Sequence, residues 1–308
     1  MSANLVNRYH TDGLPGSNTT QGITHAIMGF AKSTDFNTDS GSSFKPFEPV
    51  ETMRKRFAPD TKVLVAIGGW GDTEGFSTGA KDEASRERYA KNVAKMLDDN
   101  GFDGVDVDWE YPGGNGEDYK KVPNKDKVGE IETFPLFIQA LRKAIGKEKL
   151  LTIATPGKRE DMIAYTEENG PKIWPSVDFV NVMAYDLMNR RNNVTKHHSS
   201  VVDSHDTIKA YLEIGAPPEK LNLGIAYYMK WFTTQENADC DTHPIGCPTV
   251  EMEAANGDDN GKSGTITFET KNMAPPPQDL KVSTDQKCGL EAKTKCPAGS
   301  CCSIYGSW

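Results

Sequence analysis

Short apolar runs recur at intervals of about 30 to 45 residues, and that spacing limits the fold more than any other feature of the chain. The runs are THAIMGF at 24–30, VLVAI at 63–67, VDVDW at 105–109, LTIAT at 151–155, FVNVM at 179–183 and LNLGIA at 221–226. Most are apolar on both faces, as strands of a parallel sheet covered by helices must be. Helical patterns lie between them. In RERYAKNVAKMLDDNG at 86–101, Tyr89, Val93, Met96 and Leu97 form one apolar stripe, and Asn100-Gly101 supplies a C-terminal cap. In FPLFIQALRKAIG at 134–146, Phe134, Phe137, Ile138, Leu141 and Ile145 repeat the pattern, stopped by Gly146. The intervals are those of βαβ units. With a further candidate strand at 5–9, they predict an α/β chain folded as a (β/α)8 TIM-type barrel. No G-x-G-x-x-G follows any strand, so a doubly wound nucleotide-binding sheet is the weaker alternative.

The third run carries the chemistry. Residues 103–110 read DGVDVDWE, and alternation along a strand puts Asp106, Asp108 and Glu110 on one face. In a parallel barrel that face is the interior, and the chain runs toward the C-terminal rim where active sites form. Asp103 has the opposite parity and belongs at the strand entrance. Three carboxylates in a low-dielectric interior repel one another, so some must hold protons. Such crowding is costly, and the reading it favours is a protonated Glu110 poised for acid catalysis. Acids at strand ends also cap helices or bind divalent metals, but four of them on a Val/Trp strand point to catalysis.

The formal net charge of −9 and the absence of a basic run speak against nucleic acid and acidic membrane surfaces as partners. No apolar run approaches the ~20 residues of a membrane span. The histidines form no metal-ligand pattern with acidic partners, and no P-loop or G-x-S-x-G appears. Neither metal nor cofactor is expected, and the chain is expected to act as a monomer. All six cysteines follow position 239: Cys240, Cys247, Cys288, Cys296, Cys301 and Cys302. Clustering of this kind suggests disulfides and an extracellular, secreted protein, although residues 1–13 lack the pattern of a signal peptide. From about residue 235 the chain turns polar and rich in Gly, Asn and Asp, and MAPPPQDL at 273–280 reads as an extended linker.

DGVDVDWE resembles the signature of glycoside hydrolase family 18, the chitinases. Other segments match in order: AIGGW at 66–70, with Ala66 where Ser is usual, MAYD at 183–186 and YYMKW at 227–231. VPNK, MNRRNNVT and GIAYYMKWFTT are closest in style to fungal members. The resemblance implies a chitinase of endo action on chitin or chito-oligosaccharides, with residues 1–234 as catalytic barrel. Family 18 works by substrate assistance. Glu110 would protonate the leaving oxygen, the substrate's 2-acetamido oxygen would attack, Asp108 and Asp106 would share the proton that stabilises it, and Tyr185 would hold it in line. Trp70, Tyr111, Tyr228 and Trp231, just after strands, suit apolar sugar faces. Met183 and Asp186 would line the floor. A non-catalytic chitin-binding lectin or effector, and an endo-N-acetylglucosaminidase acting on N-glycans, remain the alternatives.

CGLEAKTKCPAGSCCSIYG at 288–306 resembles the start of a hevein-type chitin-binding module, with Ser303 and Tyr305 at sugar-contacting positions. That family has eight cysteines, of which four are present. Its pairing implies Cys288 with Cys302, and Cys240 is expected to bond Cys247. Residues 235–287 would be insertion and linker, and 288–308 a partial module. Related fungal chains return after such an insert to supply a last strand with a Trp. No apolar strand of that kind is read after Thr234, so the barrel is expected to lack its last strand.

Overall fold

The computed structural model describes residues 19–236, 240, 243–267, 280–288 and 292–295. Its centre is a parallel sheet of six strands in sequential order: β1 (His25–Ala31), β2 (Lys62–Gly68), β3 (Gly104–Asp108), β4 (Leu150–Pro156), β5 (Phe179–Met183) and β6 (Leu221–Leu223). Each expected run between 24 and 226 contributes a strand. The last is cut to three residues, because Gly224 turns out of the ladder while its N–H still donates to Val182 O at 2.8 Å. The candidate at 5–9 lies outside the described residues.

The sheet curls strongly. Strands sit about 4.8 Å apart, so β1 and β5 of a flat sheet would be separated by about 19 Å. Instead the rings of His25 on β1 and Phe179 on β5 meet edge to face at 5.0 Å. Such curvature is that of a barrel wall.

Between strands run α1 (Val50–Arg54), α2 (Glu74–Ala80), α3 (Glu83–Asn100), α4 (Val128–Ile145), α5 (Gly170–Ile173) and α6 (Val201–Glu213). Asp82 caps α3 by accepting from Ser85 N–H, and Gly101 closes it in the left-handed conformation. The stripes read from the sequence do face the sheet. Phe76, Tyr89, Trp109, Phe134 and Phe137 form one aromatic cluster behind β3, with Phe76 stacked on Trp109 at 5.3 Å. Helix α4 starts earlier than FPLFIQALRKAIG suggests and runs through Pro135. A proline there cannot donate to the carbonyl four residues back, Ile131 O. The buried Asn169 replaces it, its Nδ2 donating to Ile131 O at 2.8 Å and to Ala164 O at 3.2 Å. Asn169→Ala should therefore lower unfolding stability by about 2 kcal/mol in denaturant titrations.

At the N-terminal ends of the strands one device appears twice. Asp103, just before β3, accepts from Val63 N–H of β2 and from Arg54, each at 2.7 Å. Asp178, just before β5, accepts from Leu151 N–H of β4 and from Arg142. Partial burial would raise the Asp103 carboxyl, but Arg54 and the Val63 N–H hold it below the usual range. Asp103 thus ties the barrel floor together.

The chain divides into two compact units, residues 1–226 with 232–264, and 227–231 with 265–308. In the first, residues 243–260 lie along the segment 189–195: Thr195 N–H donates to Cys247 O, Gly246 N–H to Thr195 O and Thr249 N–H to Asn193 O. A disulfide joins Cys240 to Cys247. Strand β7 (Tyr228–Phe232) pairs with β8 (Ser263–Thr267). In the second unit β9 (Lys281–Val282) pairs in parallel with β10 (Thr294–Lys295), and Cys288 is disulfide-bonded. Cys302, Ser303 and Tyr305 lie outside the described residues. No described helix is long and apolar enough to cross a membrane.

Candidate active site

Strand β3 sorts its residues by parity. Val105, Val107 and Trp109 go outward into the core, while Asp106, Asp108 and the following Glu110 line the interior, all buried. Close approach of β2 is part of the arrangement. Gly68 has φ +104°, and a Cβ there would lie 2.3 Å from Asp108 O. Only glycine meets both demands.

Each acid has its own surroundings. Asp106 Oδ1 accepts from Thr152 Oγ1 on β4 and from Asn181 Nδ2 on β5, the latter at 2.9 Å. Asn181 Oδ1 in turn accepts from Asn222 Nδ2 on β6 at 3.3 Å. Burial raises the Asp106 carboxyl, and these two donors pull it back. Asp108 has no such help. Its Oδ1 is buried without a hydrogen-bond partner among the described residues, and burial, then the charges of Glu110 and Asp106, lift it well above the carboxylate range. Of the inner pair, Asp108 is therefore lifted further, while two donors hold Asp106 back.

Glu110 is pushed up to about 7, chiefly by burial, with the charges of Asp186 and Asp161 adding to it and a hydrogen bond with Tyr111 opposing it. A carboxylic acid that keeps its proton to neutral pH is a competent general acid. Tyr185 N–H donates to Met183 O at 2.7 Å in the turn after β5. Burial and the neighbouring charges of Asp108 and Glu110 hold its phenol protonated, so that it is a hydrogen-bond donor. Tyr111 is protonated for the same reason, burial first and Glu110 second.

Met183 ends β5 half-buried, with Asp186 in the left-handed conformation at φ +54°, its carboxylate 3.7 Å from His198 Nδ1. Trp70 is 44% exposed and meets Tyr111 edge to face at 6.4 Å. These residues thus gather with the acids in the first unit. Tyr228 and Trp231 are part of the second unit.

Three contributors escape the motif. Thr152 and Asn181 hold Asp106, and their inward parity on LTIAT and FVNVM was the available signal. Ala66, paired in register with Asp106, brings no hydroxyl of its own. Asp161, in the segment after β4, accepts from Asn115 Nδ2 at 3.0 Å and adds to the field on Glu110. Nothing in its own neighbourhood of the sequence marks it. Among the described residues no cluster of three His, Cys, Asp or Glu side chains is arranged to hold a metal.

The sequence model of glycosyl hydrolases family 18 matches residues 5–295. The chain belongs to glycosyl hydrolases family 18. It is 32% identical over 252 residues to chitotriosidase-1 of Mus musculus, covering 74% of this chain and 51% of that one. Against chitinase 1 of Aphanocladium album it is 29% identical, covering 65% and 48%. The chain spans about half the length of these curated relatives. Among solved structures, the chitinase domain of the spore coat protein CotE from Clostridium difficile is 30% identical with a TM-score of 0.55, covering 70% of this chain and 64% of that domain. The curled parallel sheet is accordingly the TIM-type α/β fold of family 18.

Proposed function

We propose that this family 18 chain hydrolyses β-1,4-linked N-acetylglucosamine polymers, chitin or its oligosaccharides, with retention. The observation that carries the reading is Glu110, an acid held up to about 7 at the end of a file of buried carboxylates. Protonated Glu110 donates to the glycosidic oxygen as that bond breaks. The substrate's acetamido oxygen closes on the anomeric carbon, so no protein carboxylate is needed as nucleophile. The charge that develops on the acetamido group is met by Asp108, which shares its proton with Asp106, while the Tyr185 hydroxyl donates to the acetamido oxygen and holds it in line. Glu110, now ionised, takes the proton from the incoming water. Trp70 and Tyr111 offer apolar surfaces to the sugar rings, with Met183 and Asp186 below; Tyr228 and Trp231 are assigned the same task on the strength of the YYMKW resemblance.

Finer assignments rest on sequence. The MNRRNNVT and VPNK segments support a fungal-type member, and the late cysteines, with the Cys240–Cys247 bond, support an extracellular, secreted protein. The tail from Cys288 is read as a hevein-type chitin-binding segment.

Release of fluorophore from a fluorogenic chitotriose by the purified, oxidised chain tests the activity. Its rate should decline as pH rises through about 7, where Glu110 loses the proton it must donate. A rate that instead climbs steadily to pH 9 would remove Glu110 from the acid role. Binding of the oligosaccharide without any release would move the assignment to a lectin.

A further inference from the structure

We infer that Arg191 is a positioning residue for this site: its guanidinium holds the Trp70 indole and the loop behind Glu110 in one fixed arrangement. The inference rests on the reading of Trp70 as a sugar-binding surface. Among the described residues, the Trp70 ring meets one aromatic ring, that of Tyr111, and one cation, Arg191. Its neighbours Gly69 and Gly71 carry no side chains and have φ values of +91° and +89°, and its contact with Tyr111 is an edge. The guanidinium carbon of Arg191 lies 5.5 Å from the Trp70 ring centroid and 3.8 Å from that of Tyr119, so one planar cation serves two aromatic rings.

The same group makes a fork. Arg191 Nη1 donates to Asn115 O and Nη2 to Gly116 O, each at 2.9 Å. Both carbonyls belong to the loop that follows the catalytic strand. Gly116 packs directly on it, since a Cβ at that position would lie 2.6 Å from Glu110 O. Asn115 has φ +64° and is pinned by Asn124 Oδ1 on its N–H and by Glu160 O and Asp161 Oδ1 on its Nδ2. The loop is shaped beforehand, and Arg191 fastens Trp70 to it. Behind the arginine, the Tyr119 hydroxyl donates to Glu253, which pairs with Arg190 at 3.0 Å, and Arg191 N–H donates to Asn189 Oδ1 at 3.0 Å. A lysine has neither the plane to stack nor the fork to reach two carbonyls.

The test compares wild type, Arg191→Ala and Arg191→Lys, each also in a Trp70→Phe background, by steady-state kinetics on fluorogenic chitotriose and by acrylamide quenching of tryptophan fluorescence. In Arg191→Ala, KM should rise about tenfold with kcat within about threefold of wild type, because the platform and not the acid is disturbed. Quenching should increase, and that increase should vanish in the Trp70→Phe background. Arg191→Lys should lie nearer to alanine than to wild type. Unchanged KM and quenching in a folded variant would overturn the inference. So would a joint collapse of kcat, KM and melting midpoint, which is the mark of a merely structural residue. Should wild type fail to cleave chitotriose, the activity proposed above falls, and the Trp70-dependent quenching alone decides the role of Arg191: an increase upholds it and no change overturns it.

Discussion

Glu110→Gln should reduce chitotriose hydrolysis by about 10²- to 10⁴-fold while leaving affinity for the intact oligosaccharide within about tenfold. The amide keeps the shape of the carboxyl group and has no proton to give the leaving oxygen. Everything else in the site stays in place: Asp106 keeps Thr152 and Asn181, and Trp70 keeps its exposure. Turnover measured by product release, beside binding measured by calorimetry on the variant, separates the two effects. Should the variant retain most of its turnover, the proton must come from another group. A parallel loss of binding would make Glu110 a substrate contact instead.

The same substitution should make the protein more stable at neutral and alkaline pH. The sign follows from linkage. Glu110 sits at about 7 in the fold, against an ordinary 4.5, so the folded state holds its proton where the unfolded chain has released it. Stability attached to this group is complete below pH 4.5 and is lost as pH rises through 7, reaching on the order of 3 kcal/mol above that point. Glutamine does not titrate. Glu110→Gln should therefore melt above wild type by about 5 °C at pH 8 and draw level near pH 4. Asp108, lifted well above its ordinary range mainly by burial, predicts the same direction for Asp108→Asn. Thermal melts across pH 4 to 8 check both, and a pH-independent difference would show that packing rather than proton binding separates the variants. Here catalysis and stability pull against each other, since the burial that keeps Glu110 acidic at neutral pH is what the fold would otherwise avoid.

Much of this was legible locally. Alternation in VDVDWE separates inward acids from outward Val105, Val107 and Trp109 because strand side chains have a period of two. The stripe of Tyr89, Val93, Met96 and Leu97 faces the core because a helix has a period of 3.6. Asp103, of opposite parity, does lie at the strand entrance. Which partner it finds there, Arg54 from a helix 49 residues earlier, has no local signal. Similarly, Asn169 bonds a carbonyl 38 residues away to make good the gap left by Pro135.

By itself the sequence determined the parallel sheet, the helices around it and the file of three acids, since each of these depends on residues within one turn or one strand of one another. Tertiary structure alone decided the surroundings of each acid and the contacts at the rim. The Asp106 carboxyl is pulled back toward its ordinary range because Thr152 and Asn181, 46 and 75 residues further along, come to the same oxygen once the sheet curls. Asp108 is lifted further, its Oδ1 being buried without a hydrogen-bond partner among the described residues. Arg191 reaches Trp70, Tyr119 and two carbonyls only because the segments after β2, β3 and β5 meet at one end of the strands. Burial and hydrogen bonding between distant segments set an electrostatic environment, and pattern along a chain carries no record of which distant segments will meet.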